Sequence, residues 1–338
     1  MAPDLHPVLQ DINRILPLLC CPQDRTALRM EEDHLTCPNG HRFPVDRGIP
    51  NFLDMSPDKQ KERGTRLFEE STEYYERLHV KRTKEWKKLP FLFDRISGTG
   101  WHLDIGSGSG SIVIANARRG MPSIGLEVSH IGSVFASTLA KRLNLTNSFF
   151  VTGDATRIPF RSKSIRWVTS YTVIEHLYAP EDCIAEIARI LQPDGTAIIN
   201  TINYFTFLPS AGLKSLKCFF KNIAKYVRVG GHSRPRQTSE KENVTHMAWK
   251  SGADVDLFEP ISFELREMFS KHLRLERYLT FGRIPRRTEL YFSDNLSPIE
   301  RDLSPLKILI DAAFYSLNFL PGIRHMGKTI TVMAHPQK

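Results

Sequence analysis

With 338 residues, 41% hydrophobic and 25% charged, the chain has the composition of an ordinary globular protein and the length for one large core with a small accessory unit. No run reaches the roughly 18 uninterrupted apolar residues of a spanning helix, since the nearest, Leu306 to Leu320, is broken by Lys307, Asp311 and Asn318. A formal charge of +9 points to an anionic partner such as nucleic acid, a phosphorylated metabolite or a membrane surface, or simply to a solvated basic face. Asp4 and His6 stand where a signal peptide would need a basic region followed by an apolar run, so no signal peptide is expected. The odd count of five cysteines suits a reducing, cytoplasmic setting, with metal binding expected before disulfides.

Residues 1–55 are rich in Cys, Pro and short turns. Cys21-Pro22-Gln23-Asp24 is followed by Cys37-Pro38-Asn39-Gly40-His41. Two such turns aim soft ligands at one tetrahedral centre, which makes Cys21, Asp24, Cys37 and His41 a candidate zinc set. Asp24 is a harder and weaker ligand than a thiolate, and Cys20 is an extra thiol beside Cys21. The alternative is a metal-free module packed by Leu19, Leu28, Leu35 and Phe43. Residues 56–95 are highly charged, with Leu67, Phe68, Tyr74, Tyr75 and Leu78 at helical spacing, and read as a helical linker or cap.

From Trp101 the texture changes to short apolar runs alternating with helical patterns, and no repeat at solenoid or propeller spacing is found. Strands are expected at Trp101–Ile105, Ser123–Leu126, Phe149–Thr152, Ile165–Tyr171 and Thr196–Asn200. Helices are expected at Ser111–Arg119, Ile131–Leu143 and Pro180–Leu191, the last opened by Pro180-Glu181-Asp182 and closed by Pro193-Asp194-Gly195. Such alternation means a parallel sheet covered on both faces. Residues 203–255 interrupt it with aromatics (Tyr204, Phe205, Phe207, Phe219, Phe220) and a basic run from Arg228 to Arg236. A helix at Ser262–Lys271 and a strand at Leu273–Phe281 follow, then a second irregular stretch over 283–327 and a closing strand at Lys328–Ala334.

Gly106, Gly108 and Gly110 come directly after the first of these strands, with a helix following, so a ligand can approach the backbone and meet the free N–H groups of the helix start. A dinucleotide turn would read G-x-G-x-x-G, but Ser111 stands at its third glycine, and Asp104 precedes the turn. Three further acids close later strands: Glu127 the second, suited to ribose hydroxyls; Asp154 the third, suited to an adenine amino group; and Glu175, with His176, the fourth. Ligands of open α/β sheets bind at the carboxyl ends of the strands, where all of these lie.

These motifs resemble the class I S-adenosylmethionine (SAM)-dependent methyltransferases, especially the small-molecule branch. The likeness rests on the acid-x-G-x-G-x-G turn, Glu127, Gly153-Asp154-Ala155, Glu175-His176-Leu177 and Leu191-Gln192-Pro193-Asp194-Gly195. It is close over about residues 96–202 and loose over 256–282 and 328–335. It implies an α/β, Rossmann-like doubly wound sheet of strand order 3-2-1-4-5-7-6 in a domain spanning 96–338, with substrate lids at 203–255 and 283–327. It further implies that Gly106, Gly108 and Gly110 line the methionine end, that Asp104 holds the amino group through water and Glu127 the ribose, and that Asp154 with Ala155 meets the adenine edge. Val128 either packs on the adenine or belongs to the core. Leu18 to Leu53 resembles the small Trm112-like zinc ribbon, and its ligand layout is similar to the zinc module heading certain bacterial rRNA guanine methyltransferases.

A methyl donor that carries its own leaving group asks the protein mainly for alignment, and a general base is needed only for a protonated acceptor such as a hydroxyl. His176 is the candidate base, with Glu175 and His176 as a locally bonded loop start the alternative; His232 and His246 lie in the first lid. No Asn-Pro-Pro-Tyr-type motif follows the fourth strand, and neither Cys183 nor Cys218 sits in an RNA C5-methylation motif. The leading expectation is a methyltransferase acting on a small-molecule or lipid-linked acceptor. An rRNA or tRNA methyltransferase is the alternative, resting on the zinc-ribbon-like head and on Lys81-Arg82, Lys87-Lys88 and Arg283–Arg287. A non-enzymatic partner subunit is a third reading, and Leu306–Leu320 with the aromatic insertion raises peripheral membrane contact. Acceptor atom and oligomeric state are not legible here.

Overall fold

In the computed structural model, residues 12–53, 74–80, 95–177, 179–203, 262–281 and 329–337 are described, together with helical positions 213, 216, 217 and 220. The chain divides into two compact units, Met1–Ser170 with Ala185–Ala197, and Tyr171–Ile184 with Ile198–Gln337.

The first unit opens with 3-10 turns at Ile12–Arg14 and Leu16–Leu18. A four-stranded antiparallel sheet follows: β1 (Arg29–Glu31), β2 (His34–Thr36), β3 (Arg42–Asp46) and β4 (Ile49–Pro50). Alternation along β3 turns Phe43 inward while Arg42 and Pro44 stay exposed, and the Phe43 ring meets Phe52 at 4.9 Å between centroids. Leu19, Leu28, Leu35 and Phe43 are all buried, as the apolar pattern predicts.

Segments flanking this small sheet are fastened within the first unit by backbone. Cys20 N donates to Pro159 O at 3.0 Å, Arg161 N to Leu18 O at 2.8 Å, and Phe52 N to Thr152 O at 2.9 Å. The last of these meets β7 (Ser148–Thr152), the end strand of the larger sheet, whose outer edge would otherwise offer unpaired backbone groups at that point.

The larger sheet also contains β5 (His102–Ile105), β6 (Ser123–Glu127), β8 (Ile165–Tyr171), β9 (Leu191–Ile202), β10 (Leu273–Phe281) and β11 (Thr329–Pro336). Its order is β10-β11-β9-β8-β5-β6-β7; counted from β5 as the first strand, this is the 3-2-1-4-5-7-6 sheet that the resemblance implies. β5 pairs in parallel with β6 and β8, and β6 with β7, whereas β10 and β11 are antiparallel. Every residue of β5 and β6 is buried, as expected of central parallel strands covered on both faces, although polar residues (His102 and Asp104, Ser123 and Glu127) alternate with apolar ones along them.

Helices α1 (Ser111–Arg118), α2 (His130–Arg142), α3 (Pro180–Ile190) and α4 (Ser262–His272) match the expected helices within one residue at each end. Ser129 caps α2 by accepting a hydrogen bond from Gly132 N at 3.2 Å. Val113 and Ile114 of α1 and Ala136 and Ala140 of α2 close on Phe150 of β7, a cluster flanked by Leu139, Leu143 and Leu145. Burying a ring such as Phe150 contributes roughly 1.5–3 kcal/mol.

One boundary departs from expectation. β9 begins at Leu191, not Thr196, so Pro193-Asp194-Gly195 is absorbed into the strand, with Pro193 and Asp194 exposed and Gly195 buried, instead of preceding it. Gly195 permits this, because a Cβ there would lie 2.8 Å from Gln192 O. Residues 74–80 are helical with Tyr75 buried, as the linker pattern predicts. Leu67, Phe68, Lys81-Arg82, Lys87-Lys88, Tyr204, Phe205, Phe207, Cys218, Phe219, Arg228–Arg236, His232, His246, Arg283–Arg287 and Leu306–Leu320 lie outside the described residues. Among the described residues, no helix is long and apolar enough to cross a membrane.

Candidate functional site

The turn after β5 is built by two hydrogen bonds that fold it against β6. Gly106 N and Ser107 N both donate to Leu126 O, at 2.8 and 3.1 Å. Gly106, Gly108 and Gly110 have φ of 69, 51 and 73°, a left-handed region where a Cβ would be strained. Their surroundings divide them. Gly106 and Gly108 are half-buried, whereas Gly110 is buried, and a Cβ on Gly110 would sit 2.7 Å from Ala136 Cβ and 2.9 Å from the Phe150 ring. Gly110 therefore also lets α1 close on α2 and β7, a packing task beside the ligand approach expected from its place in the turn. Leu78 lies over the other side of the turn, its Cδ2 3.1 Å from where a Cβ on Gly108 would be. Beside it, His79 Nδ1 is 3.1 Å from Ser111 Oγ, and burial pushes the His79 imidazole pKa down.

Glu127, at the end of β6, closes back over this turn. Its Oε2 accepts from Gly108 N at 2.7 Å and its Oε1 from Ser129 N at 3.1 Å. The carboxylate is thereby held by the turn on one side and by the start of α2 on the other. Val128 is half-buried next to it. Asp154 follows β7 and Gly153; its Oδ1 accepts from Thr156 N at 2.8 Å and Thr156 Oγ1 at 2.7 Å, while Ala155 is half-buried. Asp104 is buried within β5, where its Oδ1 accepts from Thr169 Oγ1 at 2.6 Å. The first unit thus brings together Asp104, the glycine turn, Glu127 and Asp154 at the carboxyl ends of β5, β6 and β7.

His102 was not singled out by the motif. It is fully buried two residues before Asp104, and its Nε2 lies 2.9 Å from Thr169 Oγ1. Desolvation pushes its pKa down to about 3, so the imidazole is neutral. A histidine at i−2 from a strand aspartate, on the same face of a wholly buried strand, was the available signal.

In the second unit, Ile174–His176 forms a 3-10 turn after β8. Glu175 is buried and accepts from Thr201 Oγ1 at 2.7 Å, which gives it a holding task within that unit. His176 ends the turn half-buried.

The four candidate metal ligands converge. Cys21, Asp24, Cys37 and His41 place their ligand atoms within 4.8 Å of one another. His41 Nδ1 is 3.5 Å from Cys21 Sγ, 3.3 Å from Cys37 Sγ and 3.1 Å from Asp24 Oδ2, and Cys37 Sγ is 3.4 Å from that same oxygen. Bond lengths of about 2.0–2.3 Å to a tetrahedral zinc would set its ligand atoms roughly 3.3–3.8 Å apart. The donor set and spacing therefore fit such an ion. Cys20 is buried but stands outside the cluster.

Hydrogen bonds from the Thr26 hydroxyl and amide hold the Asp24 carboxyl well below the usual carboxylate range, while burial pushes the Cys21 thiol up to about 12. Next to Asp24, Arg25 takes φ of 66° and donates to Ile158 O at 2.9 Å, and its Nη2 is 3.0 Å from Glu186.

Residues 103–199 match the family model described as a methyltransferase domain. Over 127 residues the chain is 32% identical to a biotin biosynthesis bifunctional protein of Cellvibrio japonicus, covering 38% of this chain and 23% of that protein. Over 160 residues it is 25% identical to the demethylmenaquinone methyltransferase of Renibacterium salmoninarum, covering 46% of this chain and 65% of that one. The chain thus spans less than two thirds of the length of these relatives. Among solved structures, it is similar to a chain of the complex between the Haloferax volcanii Trm112 methyltransferase activator and a methyltransferase, at 18% identity and a TM-score of 0.46, covering 76% of this chain and 93% of that one. Residues 103–199 are thereby assigned to a SAM-type methyltransferase domain on the Rossmann-like sheet described above, with SAM as the expected cofactor.

Proposed function

We propose that the whole chain is a SAM-dependent methyltransferase acting on a small-molecule or lipid-linked acceptor. The observation that carries this reading is the Glu127 carboxylate bonded to Gly108 N of a left-handed glycine turn, with Asp104 and Asp154 at the neighbouring strand ends. Curated relatives named for biotin biosynthesis and demethylmenaquinone methylation support the class of acceptor. On this reading residues 96–338 form the catalytic domain, 1–55 the zinc-ribbon-like module and 56–95 a helical cap, with lids at 203–255 and 283–327.

When bound, SAM supplies an electrophilic methyl group on a sulfonium, so the chain's residues have to bind and orient, and to deprotonate only an acceptor that arrives protonated. Gly106 and Gly108 admit the methionine end to the backbone, and Asp104 receives its amino group. Glu127 accepts from the ribose hydroxyls, a task its fixed carboxylate suits because both oxygens are already oriented by backbone amides. Val128 packs on the adenine, and Asp154 with Ala155 meets its edge. His176 takes the proton of a hydroxyl acceptor at one ring nitrogen; an acceptor already deprotonated leaves it idle. Calorimetry with SAM tests the binding half, with micromolar-range heat expected and no heat at high protein concentration overturning it. Labelled SAM incubated with cell extract split into RNA, lipid and small-molecule pools tests the acceptor. Label in the small-molecule or lipid pool is expected, and label confined to RNA would favour an rRNA or tRNA substrate instead.

We also infer that Cys21, Asp24, Cys37 and His41 hold a structural zinc ion, for which their mutual distances are the support. All four positions would be taken by protein, so this zinc would fold and fasten the module and leave no open coordination site for chemistry. Metal analysis of protein purified without chelator is expected to find one zinc per chain; far less would overturn the assignment.

A further inference from the structure

Residues of a strand alternate faces, so His102 and Asp104 of β5 share one face and Leu103 and Ile105 the other. In register, Asp104 lies opposite Thr169 of β8 and His102 opposite Ser123 of β6. Asn116 of α1 reaches the same face. The result is a row of buried polar side chains on one face of the sheet and on α1: His102, Asp104, Asn116, Ser123 and Thr169 are all at most 4% exposed. A valine or isoleucine would fill the His102 position at no polar cost, whereas a buried imidazole must be satisfied at both nitrogens.

With Asp104 ionised and the Asn116 amide nitrogen facing His102, the protons of this row fit the following arrangement. An ionised Asp104 can only accept, so the Thr169 hydroxyl donates to Oδ1 at 2.6 Å. Thr169 Oγ1 then needs a donor, and His102 Nε2 stands 2.9 Å away. A neutral imidazole that donates from Nε2 must accept at Nδ1, where the Asn116 amide nitrogen, a donor only, lies at 3.2 Å. Ser123 Oγ, 3.3 Å from the same Nδ1, also reaches Met121 O at 3.3 Å. Donation therefore runs from Asn116 through His102 and Thr169 to Asp104, and each bond orients the next.

We propose that His102 and Thr169 are positioning residues that set the plane of the Asp104 carboxylate for the amino group of the cofactor. This rests on the assignment of Asp104 to that amino group made above. Held through Oδ1, the carboxylate cannot swing within its strand, so the amino group meets a pre-oriented acceptor and the reorganisation is not paid on binding. Neither residue touches the cofactor.

Two ligands separate positioning from mere structural support. S-adenosylhomocysteine carries the amino-acid end; 5′-methylthioadenosine lacks it and keeps the adenosine. With the full chain, Thr169→Val is expected to weaken S-adenosylhomocysteine roughly tenfold, the loss of one orienting hydrogen bond to a charged group, while methylthioadenosine binding stays within about twofold. Thr169→Ser, which keeps the hydroxyl, is expected to restore both. His102→Phe should repeat the Thr169→Val pattern; if that variant does not fold, the near-isosteric valine variant carries the test alone. Equal weakening of both ligands by Thr169→Val, or no change in either, overturns the proposal. Asp104→Asn is the control for the underlying assignment. If it leaves the ratio of the two affinities unchanged, the role of Asp104 is overturned and the relay with it. If it shifts the ratio and Thr169→Val does not, the relay alone is overturned.

Discussion

The candidate metal cluster and the Asp154 turn beside the glycine turn each use the same local device. Asp24 and Asp154 both stand two residues before a threonine, and in both turns Oδ1 accepts from the threonine amide and hydroxyl, at 3.0 and 2.6 Å in the first and 2.8 and 2.7 Å in the second. Such a turn fixes the carboxylate and says nothing of its use. What separates the two is the company around them. At Asp24, β2 and β3 bring Cys37, Asn39 and His41 to the Oδ2 side, and among the described residues this is the one such group able to hold a metal. At Asp154 the neighbours are the end of β7 and the start of a loop, beside Glu127 and the glycine turn. A local motif sets direction; the elements that meet there set the chemistry.

Breaking the cluster should have the largest consequence. Cys37→Ser removes one thiolate of the tetrad and is expected to abolish zinc retention and lower stability by several kcal/mol, on the order of 3–5, read by metal analysis and chemical denaturation. Retention of a full zinc complement would show that Cys37 is not a ligand. On the cofactor side, Glu127→Ala removes a carboxylate bonded to Gly108 N and Ser129 N, and SAM affinity should fall roughly 10- to 100-fold with the zinc content unchanged. A change in zinc content would mean that the two regions are not separable in this way.

Acid should also tell the regions apart. The His102 pKa is lowered in the folded chain from 6.5 to about 3, so between those values the unfolded chain binds the extra proton. Stability is therefore complete above about pH 6.5 and declines as pH falls toward the folded value, with a slope approaching 1.4 kcal/mol per pH unit from this group. His102→Phe should flatten that slope, measured by urea melts from pH 7 to pH 5. A slope unchanged in the variant would assign the acid sensitivity elsewhere. The smallest expected effect sharpens the comparison most directly. Thr26→Val and Thr156→Val make the same edit in both turns, each removing one hydroxyl bond and costing about 1 kcal/mol. The first should weaken zinc and spare SAM, and the second should do the reverse. Identical effects on both ligands would erase the distinction between the two aspartates.

Much of the molecule was readable before any fold was known. The alternation of short apolar runs with helical patterns located β5 to β8 and α1 to α3 within about one residue, because buried parallel strands and amphipathic helices leave periodic traces in composition. β9 starts earlier than its pattern suggests, since Pro193-Asp194-Gly195 looks like a separator yet lies within the strand, where a Cβ on Gly195 would meet Gln192 O. Gly110 shows the limit of motif reading in another way. Its spacing joins it to Gly106 and Gly108, but beyond its left-handed φ it also lacks room for a Cβ because of Ala136 and Phe150, residues 26 and 40 positions further along the chain.

What the sequence determined by itself was therefore the local chemistry: the acid-flanked glycine turn, the strand-ending carboxylates and the paired Cys turns, each readable because its residues are close in the chain. Only the tertiary structure decided which of them work together. The convergence of Cys21, Asp24, Cys37 and His41, the closing of Glu127 on Gly108, and the row from Asn116 through His102 and Thr169 to Asp104 all join different elements. Their distances depend on strand register and helix packing, and a linear pattern carries neither.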